Sequence, residues 1–294
     1  MKCINKWICL SLLIAVSCVS GCGKTSAAIE QPYDVYATAA DFGLSSNGTA
    51  EAKSYFASDL CVSEDVAIGT DSTDSQVAEG AGTFNLETNT VVYAKNLYER
   101  LYPASTTKIL TAYIALKYCD DLDAMVTVSE NAVNQASDSS VCNLKAGDVI
   151  RLRDLLYGLM LRSGNDAAVA IAEYISGDVD SFAALMNQEA AAMGATRSHF
   201  VNPNGLPDEN HYTCVYDMYL IFSNAIKNDT FVSIIGTTSY DVTYTDASGE
   251  AVTHTWENTN QYLTGNATTP DGFQIVGGKT GTTGEAGYCL VLYS

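Results

Sequence analysis

Three observations predict an α+β fold. β-prone segments lie toward both ends of the folded part of the chain, and helical patterns fill the stretch between them. One helix, Ile109–Leu116, is apolar or small all round, so it has no face to offer water and must be buried. Strands from the two ends would assemble one antiparallel sheet flanked by helices, with a helical subdomain beside it. The chain has 294 residues, 47% of them hydrophobic and 17% charged, which is ample for a sizeable core.

The N-terminus reads as a targeting segment. Lys2 and Lys6 precede the apolar run Trp7–Val19, which has signal-peptide length and is short for a membrane span. The run ends in Val19-Ser-Gly-Cys22. Small residues before a cysteine resemble the lipobox of bacterial lipoproteins, which implies a leader at residues 1–22 and a membrane anchor through lipidated Cys22. An ordinary signal peptide cut nearby is the alternative. Gly21–Thr25 looks like the tail of a phosphate-binding loop, but Cys18 stands where its first glycine belongs. Residues 23–55, rich in Ala, Ser, Gly and Asn, read as a flexible tether to a folded domain at 56–294.

Ala78–Leu86 and Thr90–Tyr93 flank a turn at Glu87-Thr-Asn89, as in a β-hairpin. Pro103 is suited to opening the buried helix. Ala124–Val128 is a short β-prone run, and Leu144–Asp148 has turn chemistry. Val149–Leu161 reads as a helix with Leu152, Leu155, Leu156, Leu159 and Met160 on one side. Further helices are expected over Asn165–Ile175, Phe182–Met193 (stopped by Gly194) and Val215–Ile226. From about Phe231 the pattern turns β-like, with strands at Tyr240–Tyr244, Phe273–Val276 and Tyr288–Tyr293.

Three clusters carry chemistry. Ser105 and Lys108 are three apart and share one face of the first helical turn. At the mouth of a buried helix a lysine loses solvation, which favours its neutral form, and a neutral amine beside a hydroxyl is a base beside a nucleophile. A helix start with a snorkelling lysine is the plain alternative. Ser163 and Asn165 lie in Arg162–Asp166, a loop between two patterned helices that can aim a hydroxyl and an amide into a cleft. Gly277–Gly284 follows the expected strand Phe273–Val276. It supplies the Lys279 charge, the Thr280 hydroxyl and glycines that permit close backbone approach by a ligand. A glycine-rich hairpin turn is the alternative there.

S-x-x-K, S-x-N and K-T-G in this order form the motif set of class A β-lactamases and penicillin-binding proteins. Tyr93-Ala-Lys-Asn96, Tyr102–Lys108, Ser163–Ala168, Met186-Asn187, Asn202–Leu206, Asn258-Thr-Asn260 and Gly278–Gly281 together resemble the D-alanyl-D-alanine carboxypeptidases, the low-molecular-mass penicillin-binding proteins. The resemblance runs from about residue 78 to the end. It implies a β-lactamase/DD-peptidase-like domain of α/β/α layers and a serine peptidase that removes the terminal D-alanine of a peptidoglycan stem peptide. β-Lactam antibiotics would be inhibitors. Ser105 would be the nucleophile, Lys108 its base and Ser163 the proton donor to the leaving group. Asn165 would orient Lys108 and bind the substrate amide. Lys279 and Thr280 would hold the substrate carboxylate, Gly281 would let the peptide lie along the strand, and the Ser105 and Thr282 amides would bind the oxyanion. The resemblance implies no cofactor and no metal.

A class A-like β-lactamase shares the motifs but adds an activating glutamate in an E-x-x-L-N run, which is absent before K-T-G. A catalytically inert peptidoglycan-binding module is the non-enzymatic alternative. The family fold continues beyond K-T-G for longer than Glu285–Ser294, so the domain is expected to be truncated at its C-terminal end, with an open sheet edge and low stability.

The remaining signals are exclusions. A formal net charge of −19 argues against nucleic acid as a partner, which needs a basic patch. Beyond the leader, Cys61, Cys119, Cys142, Cys214 and Cys289 are widely spaced and fit neither a disulfide framework nor a zinc site. His199, His211 and His254 sit in no ligand spacing and read as structural or solvated, which leaves a Ser-His-Asp triad little support.

Overall fold

A long apolar helix needs walls on every side, and four other helices supply them. The computed structural model describes residues 57–69 and 77–294. The expected leader, Cys22 and the tether lie outside the described residues. A 3-10 turn, Ala104–Thr107, leads into α1, Lys108–Tyr118. In α1, Ile109, Leu110, Ala112, Ile114 and Ala115 are each at most 1% exposed. Helix α2 is the short Glu130–Val133, capped by the Ser129 hydroxyl. Helices α3 (Leu152–Leu161), α4 (Asn165–Ser176), α5 (Val179–Ala192) and α6 (Val215–Ala225) pack around α1. All five apolar residues expected on one side of α3 are buried, each worth on the order of 1.5–3 kcal/mol. Helix α3 begins three residues later than its pattern suggests, because Val149–Arg151 pairs in a sheet instead.

Helix α7, Asp229–Ile235, occupies a stretch expected to be β-like. The Asn228 side chain caps it by accepting from the Thr230 and Phe231 amides, and Phe231, Ile234 and Ile235 anchor it in the core. Cap and burial outweigh the β-branched residues that pointed to a strand.

The β-structure comprises β1 (Ala81–Asn85), β2 (Thr90–Lys95), β3 (Met125–Thr127), β4 (Val149–Arg151), β5 (Ser239–Thr245), β6 (Ala251–Glu257), β7 (Gly277–Thr283) and β8 (Gly287–Tyr293). The α+β class holds. The single sheet expected from the two ends does not form among the described strands. The antiparallel ladders β1–β2 and β7–β8 stand apart, and β3-β4-β5-β6 make a separate sheet. Each terminal hairpin closes locally through its own turn, so pairing follows sequence proximity. A groove of about 580 Å³ lies between them, lined by Phe84, Leu101, Met218, Tyr288 and Leu290 among others.

The expected strand at Phe273–Val276 is also displaced. Those residues are irregular, with Phe273 58% exposed, and the glycine-rich run itself is the strand. Every residue of β7 has an antiparallel partner in the apolar β8. Small side chains there are compatible with a strand because Gly277 and Gly278 pack closely on Ile235 and on β8.

Candidate active site

The nucleophile turn is bent sharply. Ala104 has φ +47°, and its carbonyl lies so close to Gly205 that a Cβ there would sit 1.9 Å away. Gly205 itself has φ +88°, so only glycine fits both the space and the backbone. This packing locks the Asn202–Leu206 loop against the turn. Thr111 adds a hydrogen bond from its hydroxyl to the Pro203 carbonyl at 2.7 Å. The Thr107 hydroxyl is held by His211 Nε2 at 2.9 Å, and His211 Nδ1 accepts from the Val201 amide at 3.1 Å. An accepting Nδ1 leaves Nε2 as the protonated, donating nitrogen of a neutral ring. Burial pushes the His211 pKa down to about 4, consistent with that form.

Lys108 is fully buried and reaches three elements. Its Nζ lies 2.8 Å from Ser105 Oγ, 2.8 Å from Asn165 Oδ1 and 2.6 Å from the Asn204 carbonyl. Desolvation first, and then the Lys279 cation, hold its pKa well below the ordinary lysine value. A neutral amine has two N–H bonds and one lone pair. Asn165 Oδ1 and the Asn204 carbonyl can only accept, so they take both N–H bonds. The lone pair is then left for the Ser105 hydroxyl, which is the geometry of a general base on a nucleophile.

The second side of the cleft is the loop between α3 and α4. Ser163 has φ +59° and is buried. The third side is β7. Lys279, 1% exposed, donates to Ser163 Oγ at 3.0 Å and to the Thr280 carbonyl at 2.7 Å. Burial lowers its pKa to about 7. The Thr280 hydroxyl meets that of Thr259 at 2.6 Å. Gly281 lies flat against the nucleophile turn, where an added Cβ would be 2.9 Å from the Ser105 nitrogen. Thr282 follows on the same strand, its hydroxyl bonded to the Gly281 carbonyl. Among the described residues no ion pair joins either lysine to a carboxylate.

The eight predicted site residues within the described chain therefore converge, and Cys22 lies outside it. Sequence reasoning missed three supports: the Asn204 carbonyl, Thr259 and the tie through His211. Asn202–Leu206 entered only through the family resemblance, and a main-chain acceptor carries no residue-type signature. His211 is buried and bonded to Thr107 and Val201.

A sequence profile of the D-alanyl-D-alanine carboxypeptidase family matches residues 69–294. The chain belongs to that family. It is 35% identical to the D-alanyl-D-alanine carboxypeptidase DacF of Bacillus subtilis, over 72% of this chain and 53% of that protein. Its identity to the D-alanyl-D-alanine carboxypeptidase of Streptomyces sp. strain K15 is 37%, over 73% and 75% of the two chains. The chain thus spans about half of the Bacillus relative and three quarters of the Streptomyces one. A solved single-residue variant of the Streptomyces K15 DD-transpeptidase superposes with a TM-score of 0.68 at 36% identity, covering 73% of this chain and 84% of that one. DacD of Francisella tularensis superposes with a TM-score of 0.65 at 30% identity, covering 79% and 65%.

Proposed function

We propose that this chain is a serine-type D-Ala-D-Ala carboxypeptidase that trims peptidoglycan stem peptides through an acyl-enzyme on Ser105. The observation that carries this reading is the three-way grip on Lys108, which leaves its lone pair to the Ser105 hydroxyl. Lys108 takes the proton as Ser105 Oγ attacks the carbonyl between two terminal D-alanines. The tetrahedral oxyanion forms against the amides of Ser105 and Thr282, preorganised donors worth roughly 3–4 kcal/mol each. The proton passes by way of Ser163 to the departing D-alanine nitrogen, and the acyl-enzyme remains. Lys279 in its charged form and Thr280, backed by Thr259, hold the terminal carboxylate. Asn165 keeps Lys108 oriented and receives the substrate amide. Water then attacks the ester and Ser105 is regenerated. Penicillin acylates the same hydroxyl.

Incubation with a labelled penicillin, followed by mass spectrometry, should place the adduct on Ser105. Labelling elsewhere, or none in a folded sample, would sink the reading. A second reading, transpeptidation, is favoured by the structural likeness to a protein named as a DD-transpeptidase. There an amine takes the place of water. Adding glycine or a D-amino acid to a donor-peptide assay separates the two: transfer product marks transpeptidation, whereas tetrapeptide and free D-alanine mark hydrolysis. Rapid penicillin turnover without D-alanine release marks a β-lactamase, and binding of peptidoglycan with neither activity marks the inert module.

Export and anchoring through an acylated Cys22 belong to the same proposal. Among the described residues no helix is long and apolar enough to cross a membrane. Labelling with a fatty-acid analogue should mark the full chain and disappear in Cys22→Ser.

A further inference from the structure

Asp166 is a buried acid that the mechanism above leaves unused. It follows Asn165 at the start of α4, is 1% exposed, and has no cationic partner among the described ion pairs. Its carboxylate gathers main-chain amides instead. Both oxygens lie 2.9 Å from the Cys142 nitrogen, Oδ2 lies 3.1 Å from the Leu144 nitrogen, and Oδ1 lies 2.9 Å from the Ala167 nitrogen. The same loop returns a bond, since the Asn165 amide donates to the Ser140 carbonyl at 2.8 Å. Loop 140–144 and the start of α4 are therefore one hydrogen-bonded unit. Ser163, two residues before Asn165, adopts a left-handed backbone, which persists in a serine only where its surroundings over-determine it. Gly164, between them, is fixed from behind by its own amide bond to the Gly158 carbonyl at 3.1 Å.

We propose that Asp166 is a positioning residue of this active site: by gathering the 142–144 amides it holds Ser163 in its left-handed conformation and Asn165 Oδ1 on Lys108, and its carboxylate faces Lys108. The inference rests on the serine–lysine reading above. The groups that face Lys108 are Ser105 from the nucleophile turn, Asn165 and Asp166 from α4, Cys142 from the loop, Asn204 and the neutral His211 from the 202–211 segment, and Lys279 from β7. Burial keeps the Cys142 thiol neutral. Asp166 thus opposes Lys279 at Lys108, and removing its charge makes Lys108 harder to protonate. A carboxylate that only tied a loop to a helix would lack this second effect.

The test compares wild type, Asp166→Asn and Asp154→Asn by penicillin acylation rate across pH. Asp154 is equally buried but bonds Arg151 and Tyr240 at the far end of α3, roughly 13 Å along the helix from the Ser163 loop. In Asp166→Asn the amide NH2 faces incoming N–H donors, so acylation at pH 7 should fall at least about tenfold. The acid limb of the profile should move to lower pH. Asp154→Asn should leave that limb where it is. An unchanged rate, or a slower rate with an unmoved acid limb, overturns the proposal. If Asp166→Asn does not fold, Asp166→Ser removes the charge without the second amide group and carries the same comparison. Failure of both to fold assigns Asp166 to the fold alone and also overturns it. Failure of wild type to label at Ser105 would instead remove the serine–lysine reading itself.

Discussion

Two lysines, both buried, stand on opposite walls of one cleft, and they are supported very differently. Lys108 sits at the start of the central helix and is gripped from three elements: acceptors on α4 and on the 202–206 loop take its N–H bonds, and the Ser105 hydroxyl on its own turn meets its lone pair. Lys279 stands on a two-stranded hairpin, and its bonds go to one hydroxyl and to the carbonyl of its own neighbour. Both lose solvation, and Lys108 also faces the like charge of Lys279. The difference suits the two tasks proposed for these lysines. A general base needs a fixed lone pair and a neutral resting state. A carboxylate holder needs a charge that a substrate can call up, and a pKa near neutrality leaves it poised for that.

The largest break in this contrast is loss of the gripped lysine. Lys108→Ala should lower penicillin acylation by about 10³–10⁴-fold, because among the described residues no other base is hydrogen-bonded to the Ser105 hydroxyl. Lys279→Ala should cost about 10²-fold on substrates that carry a carboxylate, and much less on an ester or thioester lacking one.

The titration of Lys279 sharpens the same contrast. Above about pH 7 the free enzyme loses the Lys279 proton, so kcat/KM for carboxylate substrates should fall on the alkaline side. At low pH, activity should fall as Lys108 gains its proton. Stability runs the other way. The folded pKa of Lys279 is about 7 against 10.5 for an ordinary lysine, so the unfolded chain holds more protons in between, and this group's contribution to stability improves with rising pH across that window. Its burial penalty is full below about pH 7. Lys279→Met should therefore melt higher than wild type at pH 6 while losing activity, and a lower melting temperature would refute the stated cost.

Gly205→Ala tests the support beneath Lys108. A methyl group would strike the Ala104 carbonyl in a backbone region that disfavours alanine, costing about 1–3 kcal/mol and slowing acylation together. Calorimetry and labelling should move in step. The smallest effect belongs to Thr259→Val, which removes one hydrogen bond behind Thr280. A two- to fivefold rise in KM, roughly one net hydrogen bond, with kcat little changed is the expected outcome.

Legibility differed along the chain for physical reasons. The helices around α1 were readable because each repeats apolar residues at helical spacing, and burial in α3 and α1 follows that spacing. Helix α7 was not, because one Asn228 cap and three core anchors overrode β-branched residues. The residues of β7 were placed after an expected strand at Phe273–Val276, with a glycine-rich turn as the alternative, because glycines and threonines look like turn chemistry in isolation. Its partner β8, with apolar Leu290 and Val291 opposite Thr280 and Lys279, makes it a strand.

The sequence by itself singled out three candidate groups, since S-x-x-K on a buried helix, S-x-N between helices and K-T-G propose a nucleophile and its partners. It also determined that Lys108 would lie at the mouth of a buried helix. Tertiary structure decided which groups touch. It alone brings the Asn204 carbonyl and Asn165 Oδ1 onto both N–H bonds of Lys108, seats Gly281 on the nucleophile turn, and folds the 140–144 loop onto Asp166. Residue type specifies what a group can donate or accept. Only packing specifies which acceptor stands within 3 Å, and that choice leaves the lysine lone pair with the serine hydroxyl as its partner.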